Sequence, residues 1–129
     1  MAFGWGDFID LAEWLAANAG TAQLAAYSDA VYRTSISRGY YGAFQLAMAL
    51  LVQKGEYTPT NQGEDHGAVI RSFQRHQGRP RQQIGAQLDR LRDRRRRADY
   101  DLISFQDPAS AARASVQQAK EIRRALQFQ

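Results

Sequence analysis

The chain has 129 residues and a formal net charge of +4, and its length suits a single domain over 1–129. It has no cysteine, which excludes a disulfide framework, thiolate zinc sites and a cysteine nucleophile, and agrees with a reducing compartment. No basic segment followed by an apolar core opens the sequence, and the apolar run Tyr40 to Val52 is too short to span a bilayer, so a cytoplasmic protein without membrane contact is expected.

The charge is unevenly placed. Between Arg71 and Arg97 stand ten arginines against two acids, Asp89 and Asp93, a formal +8 that leaves −4 for the remainder. Lysine occurs only at Lys54 and Lys120. Arginine grips phosphate with two parallel hydrogen bonds and stacks on bases, so this segment suits nucleic acid. An ordinary solvated helix face built from arginine is the equal alternative.

The composition predicts helices throughout. Alanine, leucine, glutamine and arginine dominate, proline and glycine sit at boundaries, and no run of alternating β-branched residues suggests a strand. The first helix is predicted over 7–17, capped by Asp7, with Phe8, Leu11 and Leu15 on its inner face. A long second helix follows over 26–54, with the stripe Tyr40, Phe44, Ala47 and Leu51, ending at Gly55. Residues 56–63 contain Pro59, Asn61 and Gly63 and read as a loop.

A short third helix carries His66, Val69, Ile70 and Phe73 on one face. Gly78-Arg79-Pro80 breaks the pattern, and Pro80 suits the start of the fourth helix. There Ile84, Leu88, Leu91, Arg95, Ala98 and Leu102 recur at helical spacing, which sends Arg95 inward with the apolar stripe. After a break over 104–108, a fifth helix carries Ala109, Ala112, Val116, Ala119, Ile122 and Leu126. The expected architecture is all-α, a four-to-five-helix up-and-down bundle.

Few residues offer chemistry. An inward guanidinium at Arg95 needs a carboxylate, a second chain or a ligand phosphate, because leaving it unpaired costs several kcal/mol. Asp99, one turn on, is the simplest partner, and Asp93 or Asp101 can serve Arg97. Arg38 lies within a largely apolar helix and should also find a carboxylate or a phosphate. Gly39, Gly42 and Ala43 permit close helix approach, and Tyr40, Tyr41 and Phe44 suit core packing. His66 and His76 lack companions at metal-ligand spacing, so no metal and no cofactor are expected. His66 is assigned a structural part, capping its helix or touching Tyr40 or Tyr41.

Three blocks carry a resemblance. Ser37-Arg38-Gly39-Tyr40-Tyr41-Gly42-Ala43-Phe44 is continued by Ala47, Ala49-Leu50-Leu51 and Lys54-Gly55. His66-Gly67-Ala68-Val69-Ile70 with Phe73 forms the second block, and Arg95-Arg96-Arg97-Ala98-Asp99-Tyr100-Asp101 the third. In order and spacing they resemble HEPN-domain proteins, in the toxin-like branch of nucleotidyltransferase/HEPN pairs. The resemblance implies a homodimer that cuts RNA without metal, in a toxin–antitoxin or defence system with a nucleotidyltransferase antitoxin as partner. It implies an arginine followed four to six residues later by a histidine, which together promote attack of a ribose 2′-hydroxyl on the adjacent phosphate.

Arg95 matches the arginine, and Tyr100 stands where the histidine is expected. A tyrosine with an ordinary pKa of about 10 is a poor base near neutrality. The expected site is therefore Arg95, Asp99 and Tyr100 at the chemistry, with Arg38, Arg92, Arg94, Arg96 and Arg97 holding the RNA backbone. The alternative is a non-catalytic module that binds RNA or nucleotide beside a nucleotidyltransferase.

Overall fold

A computed structural model describes residues 4–101 and 105–129. Among the described residues the chain forms five α-helices: α1 (Asp7–Asn18), α2 (Ser28–Gln53), α3 (Glu64–Gln74), α4 (Arg79–Tyr100) and α5 (Pro108–Leu126). A single 3₁₀ turn, Ala25–Tyr27, leads into α2. No strand occurs among the described residues. The long α2 is the central element of the bundle, with α1, α4 and α5 packed around it and α3 seated mainly on α4.

The α2 stripe read from the sequence is buried in full. Tyr40, Phe44, Ala47 and Leu51 join Val69, Ile70 and Phe73 of α3, Ile84, Leu88 and Leu91 of α4, and Ala119, Ile122 and Leu126 of α5 in one core. Each large side chain so buried stabilises by roughly 1.5–3 kcal/mol relative to exposure. A second, smaller cluster of Ile36, Ala98, Phe105 and Ala112 closes the other end. Leu102, the last member of the α4 stripe, lies outside the described residues.

The inner face of α1 differs from the one expected. Ile9 and Ala12 are fully buried, whereas Leu11 is 44% exposed and Phe8 and Leu15 are only half-buried. The cause lies in α2. A Cβ at Gly42 would come within 2.9 Å of Ile9 Cγ1 and 3.0 Å of the Trp5 carbonyl, so the helices meet where α2 lacks a side chain. Gly39 lies opposite Ala12 in ordinary contact, and Ser35 Oγ donates a hydrogen bond of 2.6 Å to the Ala12 carbonyl. Closeness of approach outweighed the bulk of leucine in choosing the face.

The helix ends follow local chemistry. Gly55, at φ 71°, terminates α2: its N–H reaches the Val52 carbonyl while that of Glu56 reaches Leu51, a Schellman closure. At α5, Asp107 caps the N-terminus through the Ser110 N–H and Pro108 takes the first helical position. At α1 the cap is Gly6; Asp7 is the first helical residue, and its side chain makes no capping bond. Asp7 and Asp10 instead place negative charge in the first turn, where the helix dipole favours it. No helix among the described residues is long and apolar enough to cross a membrane.

Candidate functional site

Three helices meet at a cleft of about 190 Å³ lined by Ser37, Arg38, Tyr40 and Tyr41 of α2, His66 of α3, and Arg95 and Asp99 of α4. The helical period explains the grouping. Arg92, Arg95, Arg96 and Asp99 recur at i, i+3, i+4 and i+7, so one face of α4 carries three of its cations past the cleft. On α2, Ser37, Tyr40 and Tyr41 share a face by the same spacing.

Arg95 is inward, as its place in the stripe requires. Its side chain keeps 18% exposure, and its guanidinium lies 5.2 Å from the centre of the Tyr40 ring. Its carboxylate partner is Asp99, at a long 3.8 Å. Asp99 is also engaged by Ser37, whose hydroxyl donates to it at 3.2 Å. Arg38 has no carboxylate within ion-pair reach among the described residues. Its guanidinium lies over Tyr41 (4.8 Å) and Phe8 (5.7 Å), with a weak 3.5 Å contact to Ser37 Oγ. Two guanidiniums thus border one cleft, held by rings rather than neutralised by tight ion pairs.

His66 faces the same cleft from α3. Its ring stacks on Phe44 at 4.2 Å and on Tyr40 at 5.7 Å, and its Nδ1 shares a 2.6 Å hydrogen bond with Tyr40 Oη. Nε2 makes no hydrogen bond to the described residues. Burial, and then the charges of Arg95 and Arg92, hold the His66 pKa below its ordinary value. The imidazole is therefore neutral at pH 7. Tyr40 is pushed up to about 12 by burial, against the pull of Arg92 and Arg95, and keeps its proton.

The loop before His66 is fixed by its neighbour Asp65, which is 5% exposed. The Asp65 carboxylate accepts from Tyr57 Oη, from the N–H and hydroxyl of Thr60, and from the Asn61 N–H. Those donors, Tyr57 first, bring its pKa down to about 2. Asn61 is held at φ 61° within this knot.

The other expected residues have separate fates. Arg92 is half-buried, with its Nε enclosed and without a hydrogen-bond partner among the described residues, and its charge acts on Tyr40 and His66. Arg96 is exposed, and its charge acts on the same two groups. Arg94 turns to α5 and donates to Gln118 Oε1. Arg97 pairs with Asp101 at 3.8 Å and lies over Phe105. Tyr100 is 72% exposed and does not line the cleft. A residue five positions from Arg95 points about 140° away on a regular helix, and α4 runs through both positions.

Of the parts expected for His66, capping its helix or touching Tyr40 or Tyr41, contact with Tyr40 is found; its place beside Arg95 was not expected. The signal was present: His66 is a titratable group at i, i+3, i+4 and i+7 with Val69, Ile70 and Phe73, the same anomaly that singled out Arg95. Among the described residues no group of three His, Cys, Asp or Glu side chains is arranged to hold a metal ion. Comparison with protein-family models, curated proteins and solved structures finds no match for this chain.

Proposed function

We propose that this protein is a HEPN-type, toxin-like endoribonuclease that acts as a homodimer and requires no metal. The observation that carries the reading is the meeting of Arg95, Arg38 and neutral His66 in one cleft. Arg95 and Arg38 bind the scissile phosphate and stabilise charge as it builds on the phosphoryl oxygens. In the tautomer whose Nδ1–H donates to Tyr40 Oη, His66 offers Nε2 as the general base. It takes the proton of the ribose 2′-hydroxyl as that oxygen bonds to phosphorus and the bond to the 5′-oxygen breaks. The 5′-oxygen leaves with a proton from solvent, giving a 2′,3′-cyclic phosphate and a 5′-hydroxyl. His66 thereby fills the part that Tyr100 cannot. Asp99 orients Arg95 and is itself held by Ser37. Arg92 and Arg96 draw the backbone toward the cleft.

The test is cleavage of a single-stranded RNA by the purified protein in EDTA, with the products' ends identified. Cyclic-phosphate ends, lost on Arg95→Ala and on His66→Gln while both variants stay folded, are the expected result. An RNA left intact by the parent protein overturns the enzymatic reading.

The exposure of Tyr100, away from the cleft where the resemblance expects a second catalytic group, favours a second reading, a binding module whose cations hold a phosphate ligand and which serves a nucleotidyltransferase partner. That reading expects RNA binding, steeply dependent on salt, without cleavage.

A further inference from the structure

A second pocket lies on the other side of His66. It encloses about 560 Å³ and shares His66 with the arginine-lined cleft. Trp5, Phe44, Met48 and Pro59 line it, together with the amide-bearing Gln45, Asn61 and Gln62 and the carboxylate of Asp65. No cation lines it, in contrast to the cleft next door. We propose that this pocket seats an unpaired base of the RNA strand whose phosphate lies on Arg38 and Arg95. This inference rests on the phosphate-binding reading of the cleft.

Four observations carry it. The first is chemical: single-stranded RNA is recognised by rings and apolar faces that stack on a base, and by amides that hydrogen-bond its edges. This pocket holds both kinds of group, and its charged lining residue, Asp65, is an anion already engaged by four hydrogen bonds, so nothing there competes for the phosphate. The second is connectivity. His66 borders both spaces, so a base and the phosphate adjoining it, one nucleotide apart, reach the two pockets without a long detour. The third is rigidity. The wall over Pro59, Asn61 and Gln62 is tied down by the four hydrogen bonds to Asp65, and Asn61 is held at a positive φ that side chains rarely adopt. A wall fixed in advance loses little entropy when a ligand enters. The fourth is anchorage: the Trp5 ring is braced by Tyr41, edge-on at 5.8 Å, and by Phe8 at 6.2 Å.

The experiment uses the full chain carrying Trp14→Phe, so that Trp5 is the remaining tryptophan and its emission reports on the pocket. The probes are a short single-stranded RNA made uncleavable by 2′-O-methylation, the same chain with abasic sugars, and inorganic phosphate. The base-bearing chain is expected to change Trp5 emission and to bind roughly 5–150-fold more tightly than the abasic chain, the worth of one stacked base. Gln62→Ala should alter the ranking among uridine, cytidine, adenosine and guanosine chains, while Arg95→Ala should weaken every chain alike. Equal affinity for base-bearing and abasic chains, with Trp5 emission unmoved, overturns the base pocket and leaves the phosphate cleft standing. Failure of both chains to bind removes the phosphate reading and the base pocket with it.

Discussion

Arg81 and Arg95 stand on the same helix and meet the same kinds of neighbour, yet end in opposite states. Each guanidinium lies over an aromatic ring, Phe73 for Arg81 at 5.9 Å and Tyr40 for Arg95 at 5.2 Å. Each has one carboxylate partner. Arg81 is 5% exposed and makes a close pair with Glu56, which arrives from a different part of the chain. Among the described residues Arg95 has only Asp99 of its own helix, at 3.8 Å and shared with Ser37. The close pair fixes the loop after α2 against α4 and keeps the guanidinium away from solvent. The loose pair keeps a positive charge at the mouth of a cleft. How completely the chain itself satisfies a guanidinium decides how much of its charge is left for another partner.

The sharpest way to break this contrast is to truncate each arginine. Arg95→Ala should lower RNA cleavage about 100–1000-fold, as loss of one charge-stabilising donor does, with little change in Tm. Arg81→Ala should do the reverse, lowering Tm while the folded fraction keeps its cleavage rate. Parallel melting curves and single-turnover assays decide it; a collapse of Tm in Arg95→Ala would show that the two arginines share one structural part.

Next in size is the support behind the cleft. Gly42→Ala places a methyl against Ile9 and the Trp5 carbonyl, and should cost about 1–3 kcal/mol, read from denaturant midpoints. It should also displace α1, and with it Phe8, on which Arg38 rests. A normal midpoint would mean that α1 gives way freely.

The acid limb tests the Arg81 pair. The Arg81 hydrogen bond holds Glu56 below its ordinary value of 4.5. The folded state therefore binds that proton less readily than the unfolded chain. The pair's contribution is present above that ordinary value and is lost as pH falls through the folded one. Arg81→Ala should thus destabilise most at neutral pH, and its deficit should fade in acid. His66 adds a limb of the same sign higher up: stability falls as pH drops below the ordinary histidine value of 6.5, because the folded ring resists protonation. His66→Gln should remove it, as melting curves across pH 5–7 will report.

The smallest effect belongs to Arg97. It is 57% exposed and its pair with Asp101 is long, so Arg97→Ala should move stability by no more than about 0.5 kcal/mol and leave cleavage nearly unchanged. A large loss of cleavage there would move the proposed phosphate contacts away from the Arg95 face.

Periodicity made much of this legible in advance. The α2 stripe, the end at Gly55 and the inward turn of Arg95 all follow from 3.6 residues per turn and the conformational freedom of glycine. The face of α1 did not, because Leu11 and Ile9 are equally apolar and only the gap at Gly42 chooses between them. The partner of Arg38 did not either: rings at Tyr41 and Phe8 took the place of the expected carboxylate, and no local spacing encodes that cross-helix contact.

By itself, the amino-acid order determined five helices, their buried stripes and the concentration of cations on α4, because those depend on neighbours a few residues away. Only the tertiary structure decided that His66 stands beside Arg95 and that Glu56 closes on Arg81. Those outcomes rest on how three helices are set against one another, and contacts between residues tens of positions apart are fixed by the packing of the whole core.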